Sequence, residues 1–350
     1  MSQFNGFNAE NKLRIPLSAY AAQIIENDCM NFSKKKATVI NSVIMNYYQR
    51  AECSISLRML DYKEELSSYF GKLDLQRNET VINKILLGKA KELKNRYAKR
   101  QKADVNWQIT LNKKVKELLT LDPYSQEEEY YGDRPGHFVQ AIIEEYARLP
   151  FYMREEIIYK QILDTIYSAI ADKNIITITN TKGKHISIKP YQIATDPLSM
   201  YHYIIGYSAT PVSLISNKPS EQSAEVMSIR LSRITDAEIQ YMQSGEITVA
   251  EERQILKELE EKGVQFVSGD TTSIKVWLSD WGLKKYSSQL HLRPFGTVDE
   301  NDEHIYSFEC TEAQILYYFI GFGRDAKILS PTTLADKFRA IYENALKIYN

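Results

Sequence analysis

Along residues 12–17 the chain alternates, with Leu13, Ile15 and Leu17 interleaving with Lys12, Arg14 and Pro16. A period of two is the signature of a strand with one buried face, so the pattern predicts a short strand. Pro16 has no N–H to offer a neighbour, which places the strand at an edge. Ser18 is a helix N-cap residue type and predicts a helix from Ala19 to about Asn31. A second helix starts at Ser33, with Val39, Ile40, Val43, Ile44 and Tyr47 as an apolar stripe at helical spacing.

The layout recurs further on. Residues 105–112 alternate again, with Val105, Trp107 and Ile109 on one side. A helix is predicted over 113–121; Asp122-Pro123 breaks it, and an acidic loop follows to Gly136, in which Glu127-Glu128-Glu129 reads as solvated charge. The closing helix, residues 138–148, repeats the pattern of residues 39–50 at the same place relative to its strand. The two strands can pair within one chain or between two chains, and the sequence fits both. Between the copies, residues 57–71 and 78–100 read as helices. The second ends in a basic run, Lys89, Lys91, Lys94, Arg96, Lys99 and Arg100, which is a solvated helix face or a phosphate-tracking stripe.

Residues 155–172 read as one amphipathic helix, with Ile158, Ile162, Ile166 and Ile170 four apart. Short strands follow at 175–179, 186–189 (ending at Pro190), 200–207 and 226–231, then Arg233-Ile234, with a turn at Lys182-Gly183-Lys184. Several short strands at regular spacing predict a small closed or nearly closed barrel. On an ideal strand Tyr201, Tyr203, Ile205 and Tyr207 share one face, while Arg230 and Arg233 fall on opposite faces unless a bulge intervenes. Beyond a connecting helix the order is strand 273–278, helix 280–288, a polar tip at 298–303, strand 305–310, a Thr311-capped helix 312–321, Lys327 to Pro331, and a final helix ending in Tyr349.

Composition narrows the function classes. Hydrophobic content of 43% and charged content of 25% exclude a largely disordered chain. No stretch reaches the roughly 20 apolar residues of a membrane helix. The first residues lack the basic-then-apolar layout of a signal peptide, so a cytoplasmic protein with no membrane contact is expected. Three widely spaced cysteines, Cys29, Cys53 and Cys310, fit neither a disulfide framework nor a zinc cluster. The five histidines have no HExxH spacing, and no GxSxG, Walker or GxGxxG motif occurs. A non-enzyme without metal or cofactor is therefore expected. The net charge of −1 conceals an asymmetry. Residues 1–121 hold 21 Lys+Arg against 12 Asp+Glu, and the rest hold 23 against 33. A basic front of this kind points to a polyanionic partner or to lysine-rich exposed helices that carry charge for solubility.

Strand, helix, turn and helix over the first 50 residues resemble the ribbon-helix-helix family. The resemblance implies that Lys12 and Arg14 face nucleic acid and that Lys34, Lys35 and Lys36 attract phosphate at a helix start, joined by Arg100 from the basic run. The middle of the chain resembles a WYL domain. His202-Tyr203-Ile204 stands at the name-giving tripeptide, Ile205-Gly206-Tyr207 follows it, Ile229-Arg230-Leu231-Ser232-Arg233-Ile234 stands at the family's arginine-rich run, and Pro190 matches its proline. The C-terminal order resembles the extension that often follows WYL domains. The implied architecture is α+β and multidomain: a ribbon-helix-helix-like helical N-terminal region, an SH3-like β-barrel and a ferredoxin-like α/β extension. The boundaries are 1–52, 53–104 (basic connector), 105–150 (second ribbon-helix-helix-like unit), 151–245 and 246–350. This order is similar to WYL accessory proteins of type VI-D CRISPR systems, which implies binding of single-stranded RNA and enhancement of an RNA-guided CRISPR ribonuclease. The implied RNA contacts on the barrel are Lys189, Tyr191, His202, Tyr203, Tyr207, Arg230 and Arg233, through guanidinium–phosphate pairing and base stacking. The alternative is a ligand-responsive transcription regulator that binds DNA through the ribbon. A homodimer is expected in either case.

Overall fold

Alternating burial makes residues Lys12–Leu17 strand β1, with Leu13, Ile15 and Leu17 inward and Lys12 and Arg14 outward. Its bare edge is met from within the same chain. Strand β2, Val105–Thr110, pairs with it antiparallel, Lys12 opposite Thr110 and Leu17 opposite Val105. The ribbon is thus intramolecular. The structure, a computed structural model, describes residues 12–70, 75–98, 103–133, 135–196, 199–209, 225–267 and 271–349, and divides into the units Met1–Lys160 and Gln161–Asn350. Among the described residues no helix is long and apolar enough to cross a membrane.

In the first unit β1 leads into helix α1 (Ala19–Asn31), whose N-cap Ser18 accepts a hydrogen bond from the Ala21 amide. Helix α2 (Lys36–Tyr47) begins later than Ser33, which adopts a positive φ of 51°; Lys35 is its N-cap. Helices α3 (Ile55–Phe70) and α4 (Leu75–Tyr97) pack on each other. After β2 come α5 (Lys113–Thr120), a 3-10 turn at Tyr124–Glu127, α6 (Glu128–Tyr131), α7 (Pro135–Ala147) and α8 (Phe151–Ile158). The predicted acidic loop is therefore largely helical. Its Glu127 is fully buried rather than solvated, because its carboxylate accepts the Ser56 amide at the start of α3.

The core of this unit is built from the apolar stripe of α2 (Val39, Ile40, Val43, Ile44) and from Phe138, Val139, Ile142 and Ile143 of α7. Helix α7 approaches β1 so closely that a Cβ on Gly136 would lie 2.2 Å from the Arg14 carbonyl oxygen, so only glycine fits. Asn41 of α2 donates to the Thr110 carbonyl and accepts from the Asn112 amide, which fastens α2 to the end of β2. Asp28 is buried beneath the Arg154 guanidinium (2.9 Å) and also accepts from the Tyr146 hydroxyl (2.8 Å).

The single helix predicted over 155–172 is two helices. Tyr159 leaves the helical conformation between α8 and α9 (Lys160–Ala171), and its ring stands edge-on to Phe32. The second unit continues with β3 (Asn174–Asn180), β4 (His185–Thr195), β5 (His202–Ser208), β6 (Val226–Arg230) and β7 (Ile234–Ser244). They form one antiparallel sheet of order β6-β5-β4-β3-β7. The expected barrel is not closed. β6 and β7 are the two edges, joined by one 3-10 turn, Leu231–Arg233, and each pairs with its inner neighbour only. Strand β4 runs straight through Pro190, where the register shifts between Pro190 and Gln192 because proline has no N–H for the ladder.

Helix α10 (Val249–Lys262) carries the chain onward with a full capping box, Thr248 and Glu251. Then follow β8 (Thr271–Leu278), α11 (Asp280–Ser288), β9 (Gly296–Val298), β10 (Ile305–Thr311), α12 (Glu312–Phe319), β11 (Ala326–Ser330) and α13 (Thr332–Leu346). The four strands order as β11-β8-β10-β9, a split β-α-β arrangement. Its core holds Ile274, Val276, Phe308, Tyr318, Phe319 and Phe338.

Two consequences can be measured. Burial raises the Glu127 carboxyl to about 8, against the opposing pull of the Ser56, Ile55 and Leu57 amides. The folded state then binds a proton that the unfolded chain has released. Stability should fall by up to about 1.4 kcal/mol per pH unit from about pH 5 to pH 8, and Glu127→Gln should flatten that slope in urea unfolding. Arg154→Ala strands the Asp28 carboxylate in the core and should cost about 3–5 kcal/mol by the same assay.

Candidate nucleic-acid interface

Side chains alternate across β5, so Tyr203, Ile205 and Tyr207 share one face of the five-stranded sheet and His202 lies on the other. Tyr201, at the entry to β5, packs against the tyrosine-bearing cluster. Strand β6 runs beside β5 with Arg230 opposite Tyr203. The Arg230 guanidinium stacks on the Tyr201 ring, 3.1 Å from its centroid, and its buried Nε has no hydrogen-bond partner. Arg230 is half-buried, and Arg233 is exposed on the 3-10 turn. The chain leaves the strand conformation after Arg230, so strand alternation does not fix the face of Arg233.

The same face is otherwise covered. Helix α10 lies across it through the fully buried Ile255, which joins Tyr203, Ile205, Tyr207 and Val226 in one cluster. Lys189 Nζ donates to Glu251 Oε1 at 2.9 Å, the Tyr191 hydroxyl to Glu252 Oε1 at 2.8 Å, and the Tyr207 hydroxyl to Gln254 Oε1 at 3.1 Å. Beyond the helix, the Ser228 hydroxyl donates to the Val264 carbonyl. Burial acts to raise the Glu251 carboxyl, but the Thr248 amide and the Lys189 ammonium outweigh it and hold the group below the usual carboxylate range. The hydrogen bond to Glu252 pushes the Tyr191 phenol up.

The seven residues expected to form a barrel site therefore separate. Arg230 and Arg233 reach solvent, Arg230 in part. Tyr203 (9% exposed) and Tyr207 (8%) are core on the α10 side, Lys189 and Tyr191 are half-buried against α10, and His202 (5%) is buried on the opposite face. His202 thus faces away from Tyr203 and Tyr207, and Lys189, Tyr191 and Tyr207 are engaged by α10.

In the first unit Lys12 and Arg14 stand exposed on the ribbon. The sequence reading missed their companions. Asn106, Gln108 and Thr110 of β2 are exposed on the same ribbon face, and Arg14 Nε donates to Asn106 Oδ1 at 3.3 Å. The signal was present, because placing Val105, Trp107 and Ile109 inward places these three outward. The Lys34–Lys36 cluster is not uniform. Lys34 lies over the Tyr159 ring, and burial lowers its pKa. Lys36 is 3.7 Å from the Trp107 ring centroid and 2.9 Å from Glu26, while Lys35 is exposed. On α4, Lys89 pairs with Glu92 and Lys91 is exposed. Arg100 and Lys99 lie outside the described residues.

No protein-family model matches the chain, and a search of curated proteins returned no match. Among solved structures, the fold aligns with one described as "Crystal structure of a CRISPR Cas-related protein" at a TM-score of 0.69 and 21% identity, over 100% of this chain and 98% of that one. Another alignment, to the proteasome accessory factor B/C (PafBC) of Arthrobacter aurescens, has a TM-score of 0.32 and 10% identity over 90% of this chain and 54% of that one. The first likeness establishes a shared fold along the whole chain.

Exposure separates the two sheet arginines energetically. Arg230→Ala uncovers the Tyr201 ring and should lower stability measurably, whereas Arg233→Ala should shift it by less than about 0.5 kcal/mol. Urea unfolding of the two variants tests the difference.

Proposed function

We propose that this protein is a cytoplasmic, non-catalytic accessory factor of a CRISPR system, which binds single-stranded RNA and enhances an RNA-guided ribonuclease of the type VI-D kind. The whole-chain fold likeness to a CRISPR Cas-related protein supports the association. The five-stranded sheet, with one 3-10 turn carrying the chain between its edges, supports reading that region as an SH3-like WYL module. The antiparallel β1–β2 pair, with a helix behind each strand, supports an intrachain ribbon-helix-helix unit. Because that ribbon is complete in one chain, the homodimer we propose rests on the C-terminal extension instead.

The observation that carries the RNA reading is Arg230, seated over the Tyr201 ring with an unpaired Nε and with the exposed Arg233 three residues on. A guanidinium held by a ring keeps its remaining donors aligned for phosphate, and phenol faces stack on unpaired bases without regard to sequence. A second reading, a DNA-binding regulator, is favoured by the ribbon face. Lys12, Arg14, Asn106 and Gln108 are the residue types that read base edges in a major groove.

Fluorescence anisotropy with labelled single-stranded RNA and duplex DNA at matched salt separates the readings. RNA should bind more tightly, with log K falling against log[salt] by about 0.7 per neutralised phosphate. Arg230→Ala should weaken RNA binding about tenfold in a chain that still unfolds cooperatively, whereas Lys12→Ala with Arg14→Ala should leave it within about twofold. Preference for duplex DNA, abolished by the ribbon variant, would overturn the RNA reading in favour of the regulator.

A further inference from the structure

Three donors on one sheet face, from two neighbouring strands, are each taken by a residue of the first turns of one helix. Lys189 and Tyr191 of β4 and Tyr207 of β5 meet Glu251, Glu252 and Gln254 of α10. An ammonium and two phenols donating to oxygen acceptors make the same set of bonds that a phosphodiester backbone would accept. We propose that the first turn of α10 is an internal phosphate mimic: its side chains hold this donor set closed, and single-stranded RNA must displace them to extend its contact beyond Arg230. The inference rests on the RNA-binding reading and adds a regulation of the same site.

At Lys189 and Tyr191, both half-buried, the exchange needs only side chains to move. Ile255 is buried and anchors the helix, and the Ser228 hydroxyl holds the Val264 carbonyl just past its end. Glu251 divides its oxygens, Oε2 accepting the Thr248 amide and hydroxyl and Oε1 accepting Lys189. Lys189 can therefore swing to a phosphate while the capping box stays intact. The Lys189–Glu251 pair is partly open to water, with side chains 23% and 16% exposed, so opening it is inexpensive. Glu252 holds nothing in the helix cap and is released with its tyrosine.

The test is anisotropy with a labelled single-stranded RNA on the full chain. Glutamine keeps the capping box, so Glu251→Gln with Glu252→Gln should fold normally. It should bind RNA about fivefold more tightly, with a salt slope steeper by about 0.7 for the one phosphate that Lys189 gains. In a Lys189→Gln background the gain should disappear. Glu260→Gln with Glu261→Gln removes the same charge from the exposed side of the helix and should leave binding within about twofold. No gain, an equal gain from the outer pair, or a gain that survives without Lys189 would overturn the mimic while leaving RNA binding intact. RNA binding that appears only in the Glu251/Glu252 variant would support it. If no form binds RNA, the accessory reading falls, and the mimic with it.

Discussion

An extended segment exposes a row of amide and carbonyl groups that must be paired or left to water, and the first unit depends on how β1 meets that demand. Its partner, β2, comes after the whole of α1 to α4. The intervening helices leave the ribbon at Leu17 and must return the chain to it at Val105, directly opposite. Leu13, Ile15 and Leu17 offer α7 a flat apolar surface, and Gly136 lets that helix touch the backbone at Arg14. A ribbon closed within the chain also has no need of a second molecule.

Carboxylates then hold the two halves of the ribbon unit together. Glu144 accepts the Ser18 amide and hydroxyl ahead of α1. Its neighbour Glu145 accepts the Tyr47 hydroxyl and the Glu52 and Cys53 amides ahead of α3. Glu127 completes the set at Ser56. Each acidic group accepts amide donors near the start of a helix or in the turn before one, donors that the helix itself leaves unpaired. These three acids belong to the acidic remainder of the chain beyond residue 121, so part of its negative count is structural rather than solvated.

What could be read from the sequence follows from the same physics. The period-two runs of β1 and β2 and the stripe of α2 are legible because each keeps one face apolar. Strand β7 is not, since Thr235, Asp236, Glu238, Tyr241 and Met242 are exposed on an edge and blur any alternation. The burial of Glu127 was invisible because three successive glutamates look like solvated charge until an amide donor is placed against one. The break at Tyr159 depends on Phe32, far away in sequence. For the candidate site, sequence alone marked the tyrosine row and Arg230, but not the helix that covers part of that row. The glutamates of α10 are unremarkable on a helix wheel and acquire meaning only opposite Lys189 and Tyr191.

The cover explains how one sheet face is apolar core at its centre and polar at its margin. Ile205, Val226 and Ile255 bury together, so this part of the face is fixed by hydrophobic packing and stays closed. At its margin the tyrosines have apolar rings directed inward and hydroxyls at the rim, and Tyr191 and Tyr207 direct theirs to α10. Phenol serves both demands where phenylalanine or serine would serve one. Arg230 completes the gradient, because Tyr201 supports its guanidinium as an aromatic floor. Within one sheet the face thus passes from packed apolar side chains, to acid-paired donors, to a guanidinium seated on a ring.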